Sequence, residues 1–232
     1  MTSGRLGCRI CQPGSAIVAD QGIRVFLADD HAMVREGLCA LISREPSMRI
    51  VGQCGDGLQV LRQVEALSPD VVVLDITMPG LNGLDVCRQL TRKGHETAVL
   101  ILTMHDDEQF VMRAIEYGAS GYVLKEAAAE QLAEAIRTVS RGELYLGPGI
   151  RRTALQRIGQ PGGDPYDRLT LRERQVLQQI AEGKTNRQIA QELSLAVKTV
   201  DTHRSRLMRK LNIHDQTSLV KFALRRGIVP LQ

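Results

Sequence analysis

Val71-Val72-Val73-Leu74-Asp75-Ile76-Thr77-Met78-Pro79-Gly80 decides the fold. Four apolar residues, three of them β-branched, have the length and composition of a strand buried on both faces. The run ends on a carboxylate, and Pro79-Gly80 marks a loop directly after it. An acid at the carboxyl end of a parallel strand sits where open α/β sheets place their chemistry. Working outward, strand and helix patterns alternate. Ile23–Ala28 reads as a buried strand ending in Asp29-Asp30. His31–Arg44 reads as a helix with Val34, Leu38, Leu41 and Ile42 at three- and four-residue spacing and Asp30 as its N-cap. Arg49–Cys54 is a second strand, followed by a helix striped by Leu58, Leu61, Val64 and Leu67. Gly83–Lys93 is helical, Ala98–Thr103 is a strand, Glu108–Tyr117 a helix, Gly121–Leu124 a strand and Ala127–Arg141 a closing helix. Such alternation predicts an α/β fold with a doubly wound, five-stranded parallel sheet over residues 23–142.

Residues 143–167 carry Gly147-Pro148-Gly149 and Gln160-Pro161-Gly162-Gly163-Asp164-Pro165, punctuation that predicts a linker. Arg151–Ile158 is read as a short helix inside it. Residues 1–22 show little periodicity and are expected to be a disordered leader. From residue 168 to 232 every signal is helical, which predicts a small all-α domain. Thr170 with Glu173, and Thr185 with Gln188, have capping-box spacing. The turn Ser194-Leu195-Ala196 leads into a helix through Leu211, and Gln216–Arg226 forms a last helix before Gly227.

The chain of 232 residues is long enough for two domains. No apolar run approaches the ~18–20 residues of a membrane span, so no membrane partner is expected. Cys8 and Cys11 have metal-ligand spacing but lack a second ligand pair. With Cys39, Cys54 and Cys87 falling in core patterns, a reducing cytoplasm fits. Charge is divided unevenly. Residues 23–142 hold 12 Lys/Arg against 17 Asp/Glu, a net of −5, and residues 168–232 hold 13 against 5, a net of +8. The basic half points to a polyanionic partner.

Parallel neighbours present their carboxyl ends on one edge, so Asp29, Asp30 and Asp75 are expected to converge. Three carboxylates together need a positive group between them, and a hard divalent cation such as Mg²⁺ accepts oxygen ligands while keeping waters. Thr103 and Lys125 end two further strands. A carboxylate flanked by a cation, a lysine and a hydroxyl suits phosphoryl transfer, with Asp75 as nucleophile, Lys125 neutralising charge and Thr103 binding a phosphoryl oxygen.

Asp29-Asp30, Asp75-Ile76-Thr77-Met78-Pro79-Gly80, Leu102-Thr103 and Gly121-Tyr122-Val123-Leu124-Lys125 resemble the receiver domain of bacterial two-component response regulators, a flavodoxin-like fold. The resemblance implies phosphorylation of Asp75 by a sensor histidine kinase. It also implies Mg²⁺ held by Asp30, Asp75 and the backbone carbonyl of Thr77, with Asp29 assisting, and a switch pair of Thr103 and Tyr122 whose ring follows the hydroxyl inward. The position after Lys125, often proline in receivers, is Glu126. His31 and His105 lie near the site without a role in the resemblance.

In the basic half, a helix from Lys198 carries Val200, Leu207 and Leu211 on one face and Lys198, Thr202, Ser205 and Arg209 on the other. Preceded by a capped helix and a tight turn, it has the layout of a helix-turn-helix whose second member enters the major groove. Leu169-Thr170-Leu171-Arg172-Glu173-Arg174-Gln175-Val176-Leu177, Gly183-Lys184-Thr185-Asn186-Arg187-Gln188-Ile189-Ala190 and Val197-Lys198-Thr199-Val200-Asp201-Thr202-His203-Arg204 resemble LuxR-type DNA-binding domains. Together with the receiver, the chain resembles a NarL/FixJ-type response regulator. This implies a phosphorylation-gated transcription regulator of promoter DNA rather than an enzyme. By the resemblance Lys184, Thr185, Thr199 and Arg206 would touch backbone phosphates, while Lys198, Thr202, Ser205 and Arg209 are candidates for groove contacts. His203 is read as a packing residue. The last helix is expected to form a homodimer on DNA through Leu219, Val220 and Ala223. The enzyme alternative, a phosphatase of the haloacid dehalogenase type, needs an Asp two residues after the nucleophile, where this chain has Thr77.

Overall fold

The computed structural model describes residues 22–150 and 164–229. Its first body runs β1 (Ile23–Ala28), α1 (Ala32–Ser43), β2 (Met48–Cys54), α2 (Gly57–Leu67), β3 (Val71–Leu74), α3 (Gly83–Arg92), β4 (Ala98–Thr103), α4 (Glu108–Glu116), β5 (Gly121–Leu124), α5 (Ala128–Ser140) and β6 (Tyr145–Leu146). The strands pair in the order β2-β1-β3-β4-β5-β6, all parallel. The strand order reverses between β1 and β3, and such a switch point opens a crevice at the carboxyl ends of its two strands.

The two-residue period of each strand sorts its side chains to opposite layers. Val25, Leu27, Val71, Val73, Leu100, Leu102 and Val123 pack under α1 and α5, against Leu38, Ile42, Leu132, Ile136 and Val139. Their neighbours Phe26, Ala28, Val72, Leu74, Ile101 and Tyr122 pack under α2, α3 and α4, against Val60, Val64, Leu84, Leu90 and Val111. Both faces of the central strands are therefore covered, which is why β3 reads as an unbroken apolar run. Asp56 caps α2 by accepting from the amides of Leu58 (2.7 Å) and Gln59 (3.1 Å). Asn82 caps α3 through the Asp85 amide.

The second body opens on a 3-10 turn, Pro165–Arg168, and continues through α6 (Leu171–Ala181), α7 (Asn186–Glu192), α8 (Val197–Leu211) and α9 (Gln216–Arg225). Both expected capping boxes are formed, Thr170 with Glu173 and Thr185 with Gln188. Val176, Leu177, Ile180, Ile189, Val200, Leu207, Leu219 and Ala223 make its core.

Several expectations are corrected. The sheet has a sixth strand, because Tyr145 and Leu146 pair with Gly121 and Tyr122. The expected linker over residues 143–167 is thus shorter at both ends: Ile150 is buried against the first body, and Tyr166 is buried in the second. The N-cap of α1 is His31, not Asp30, and its side chain makes no capping bond. A 3-10 turn over Lys125–Ala127 precedes α5, so that helix starts at Ala128. On α9, Leu219 and Ala223 are fully buried in their own domain. The inner stripe of a ten-residue helix is consumed by the core, so of the three expected dimer contacts only Val220 reaches the surface. The expected helix Arg151–Ile158 and the leader up to residue 21 lie outside the described residues.

Candidate functional site

Three strand ends meet at the switch point. The Asp75 amide donates to the Ala28 carbonyl (2.9 Å), which draws the end of β3 level with the end of β1. Asp29 and Asp75 are buried, and Lys125 reaches in from the end of β5, its Nζ 2.7 Å from Asp29 Oδ2 and 2.9 Å from Asp75 Oδ2. Asp29 Oδ1 accepts from the His31 amide (2.9 Å), so this carboxylate is held on both oxygens. Asp30 stands at the rim, with its Oδ1 2.7 Å from His31 Nδ1. Ligand atoms of Asp29, Asp30, His31 and Asp75 all lie within 4.8 Å of one another.

The electrostatics follow from this crowding. Burial, and then the charges of Asp29 and Asp30, push the Asp75 carboxyl above the ordinary carboxylate value, against the pull of Lys125. Burial works against the Lys125 ammonium, but Asp75 and Asp29 outweigh it and hold the lysine above its usual value. One cation facing three acids leaves the pocket negative, with hard oxygen donors opening to solvent at Asp30. That donor set fits Mg²⁺.

Close packing keeps the pocket in place. The Gly83 amide donates to the Ile76 carbonyl (2.7 Å), and a Cβ at residue 83 would fall 1.9 Å from the Asp75 carbonyl oxygen. Only glycine lets α3 start so close behind the acid.

The remaining expected positions form a second layer at the end of β4. Thr103 is buried, and its Oγ1 accepts from the His105 amide (3.4 Å). The Tyr122 ring is fully buried, and its hydroxyl donates to the His105 carbonyl (2.8 Å). His105 Nε2 lies 3.3 Å from Thr77 Oγ1, and its ring stacks on Phe110 with centroids 4.3 Å apart. His105 therefore touches Thr77, Thr103 and Tyr122, although the family resemblance implies no role for it. Its only sequence signal is its place two residues beyond Thr103.

In the basic domain Lys198, Thr202, Ser205, Arg206 and Arg209 are all exposed on α8, and Thr199 is half-buried. Asp201, the acid on this helix, is exposed and accepts from the Asn186 side-chain amide of α7, and Arg204 donates to Asn186 and Gln216, so both side chains are tied to neighbouring elements. His203 is half-buried, as expected of a packing residue. Thr202 Oγ1 donates to the Lys198 carbonyl (2.9 Å). Two candidates are already engaged: Lys184 is ion-paired with Glu182 (3.0 Å) and Glu192 (2.5 Å), and the Thr185 hydroxyl is committed to Gln188 in the α7 cap.

Fold and acid cluster together define a receiver joined to a helix-turn-helix domain. Residues 25–137 match the model of the response regulator receiver domain, and residues 167–223 match that of the bacterial regulatory proteins of the luxR family. The chain is 38% identical over 209 residues to the transcriptional regulatory protein LiaR of Bacillus subtilis, covering 89% of this chain and 99% of that one. It is 36% identical over 215 residues to the oxygen regulatory protein NreC of Staphylococcus carnosus, with the same coverage. Among solved structures, the response regulator ChrA of a heme-sensing two-component system matches at 34% identity and a TM-score of 0.50, over 90% of this chain and all of that one. RcsB of Salmonella typhimurium, at 23% identity and a TM-score of 0.54 over 87% of this chain and 98% of that one, shares the fold. The chain belongs to the NarL/FixJ-type response regulators, the DNA-binding regulators of two-component systems. No helix among the described residues is long and apolar enough to cross a membrane.

Proposed function

We propose that Asp75 is the phosphoacceptor of this regulator, that a sensor histidine kinase supplies the phosphoryl group, and that α8 reads promoter DNA. The observation that carries this reading is the placement of Asp75 between the Lys125 ammonium and the paired acids Asp29 and Asp30. Mg²⁺, held by Asp30, Asp75 and the Thr77 carbonyl with Asp29 behind them, would offset charge on the transferred group. Asp75 attacks phosphorus through a carboxylate oxygen, and the donor's phosphoramidate nitrogen leaves with a proton. Lys125 stays protonated and faces the incoming oxygens. Thr103 offers its hydroxyl to one of them, and Tyr122 and His105 pass the displacement to the start of α4.

The product carries roughly −1.5 to −2 charges by analogy with other phosphorylated side chains. This charge biases the receiver between two arrangements, and through it the affinity of the basic domain for DNA, bound by a pair of chains. Lys198, Thr202, Ser205 and Arg209 face the groove, with Thr199, Arg206 and Lys184 toward phosphates and the capped start of α7 at Thr185 beside them. The protein regulates transcription in the cytoplasm and turns over no substrate of its own; Thr77 has no carboxyl group to act as the general acid of a phosphatase. The test is labelling of the full chain with phosphoramidate and Mg²⁺, read by intact mass, alongside DNA affinity. Uptake of one phosphoryl group that is lost in Asp75→Asn, together with tighter DNA binding, is the expected result. Equal labelling of Asp75→Asn overturns the assignment.

A further inference from the structure

The outer face of α8 carries a single acid among its cations and hydroxyls. Asp201 follows Lys198 by three residues and precedes Ser205 by four, which places it on the arc that Thr202 and Arg209 share. It is exposed, as are those four. Contact between the domains leaves this arc open: the pairs Arg174–Asp85 and Arg88–Asp167 join the second body to the receiver through α6 and the turn before it. Asp201 is the fifth residue of α8, and the N-terminal part of a recognition helix is the part that meets base edges.

The carboxylate is held in one orientation. Asn186 Nδ2 of α7 donates to Asp201 Oδ1. The Asn186 oxygen accepts from Arg204 Nη1 (3.4 Å), whose Nη2 donates to Gln216 Oε1 (3.0 Å) at the start of α9. Turning the Asn186 amide over would set its oxygen against the carboxylate and its nitrogen against the guanidinium, so the relay has one sense. The amide is neutral and engages Oδ1, which leaves Oδ2 for a donor from outside the protein. A side chain ordered in advance loses little rotamer freedom when it binds.

Against duplex DNA such a group has few partners. Phosphates repel it, and so do the acceptors of the major groove: N7 and O6 of guanine, N7 of adenine and O4 of thymine. The donors there are the amino groups at N4 of cytosine and N6 of adenine. Adenine N6 lies between two acceptors, its own N7 and the O4 of its thymine, whereas cytosine N4 has only guanine O6 beside it. We infer that Asp201 is a specificity-determining residue, which accepts from cytosine N4 in each half-site and repels guanine and thymine at that position. Attraction to one base and repulsion of the others both enter the difference that sets specificity. The cations around it favour any duplex, and Asp201 subtracts from that affinity wherever the amino group is missing. The inference goes beyond the assignment of α8 to the groove and rests on it.

The test uses the full chain and four variants, Asp201→Asn, Asp201→Ala, Lys198→Ala and Arg209→Ala, each checked for native circular dichroism. Each protein selects from duplexes of randomised sequence at one salt concentration, and affinities are then measured on duplexes that differ only at the selected cytosine. The wild-type chain is expected to select cytosine at one position of each half-site and to bind the guanine and thymine duplexes about fivefold or more weakly. Asp201→Asn keeps an acceptor for Asn186 but replaces the charge by a donor, so it is expected to lose that preference. Asp201→Ala is expected to lose the same preference and no other. Unchanged selection in Asp201→Asn overturns the inference and makes the residue only a tie between α7 and α8. Loss of preference at every position overturns it as well, because α8 would then have moved. Wild-type affinity and selection in both Lys198→Ala and Arg209→Ala overturn the placement of α8 itself, a failure that the Asp201 variants do not produce.

Discussion

Asp75 carries a charge that its surroundings oppose. Its carboxyl is raised first by burial and then by Asp29 and Asp30. A carboxyl raised in the folded state binds more protons than in the unfolded chain over the interval between the two values, so its ionised form subtracts stability above that interval. Asp75→Asn should therefore raise the melting temperature of the receiver at neutral pH without divalent cations, by roughly 2–6 °C. The gain should shrink as pH falls through the raised value, where wild-type Asp75 is itself protonated. Calorimetry from pH 7 to 4 checks this, and a melting temperature lowered at neutral pH would refute it. Lys125 is the opposite case. Its Nζ sits 2.7 and 2.9 Å from two buried carboxylates, and removing one partner of a buried pair costs about 3–5 kcal/mol. Lys125→Ala should lower the urea midpoint accordingly, and millimolar Mg²⁺ should recover part of the loss. No recovery would mean that the acids do not hold the cation.

At the scale of elements, the capping boxes and α8 carry separate expectations. Thr170→Ala removes the side-chain acceptor for the Glu173 amide and should cost about 1 kcal/mol of domain stability in denaturant titration. Lys198→Ala and Arg209→Ala should weaken DNA binding. A residue that contacts phosphate should also reduce the slope of log affinity against log salt by about 1, whereas Ser205→Ala should alter preference among sequences more than the slope. Wild-type affinity in both basic variants at moderate salt would remove α8 from the groove. The long, strictly periodic elements were legible from residues alone, since α6 with its Thr170–Glu173 box and β3 with its apolar run state their own boundaries. So were the acids and the lysine, because strand ends can be counted. What stayed hidden had a different cause in each case. Tyr145 and Leu146 are too few to show a strand period, and only their pairing with Gly121 and Tyr122 makes them β6. The apolar stripe of α9 was visible, but a stripe does not say whether it meets its own core or a second chain; Leu219 and Ala223 meet the core. His105 lies in a loop whose course depends on Phe110 and Tyr122, which no local pattern encodes.

Over the whole molecule, an acidic receiver and a basic reading domain are held in contact by matched polar groups, and the tail of the second domain adds a steric term. Gly227 follows α9 with φ +61°, and a Cβ there would sit 2.4 Å from Phe110 Cζ. Gly227→Ala should therefore enlarge the unphosphorylated chain in solution scattering. Adding Phe110→Ala should restore compactness while leaving the backbone strain of a left-handed alanine as a loss of about 1 kcal/mol. An unchanged radius in the single variant would show that this edge of the interface is slack. The sixth strand sets the scale of what release can achieve. Because Ile150 is anchored on the receiver and Asp164 begins the second body, 14 residue steps join them. A stretched chain of that length covers at most about 50 Å. Successive major-groove half-sites on one side of a duplex are about 34–36 Å apart. Two receivers side by side, each joined to its own reading head by a reach of that length, could thus serve neighbouring turns of the same duplex.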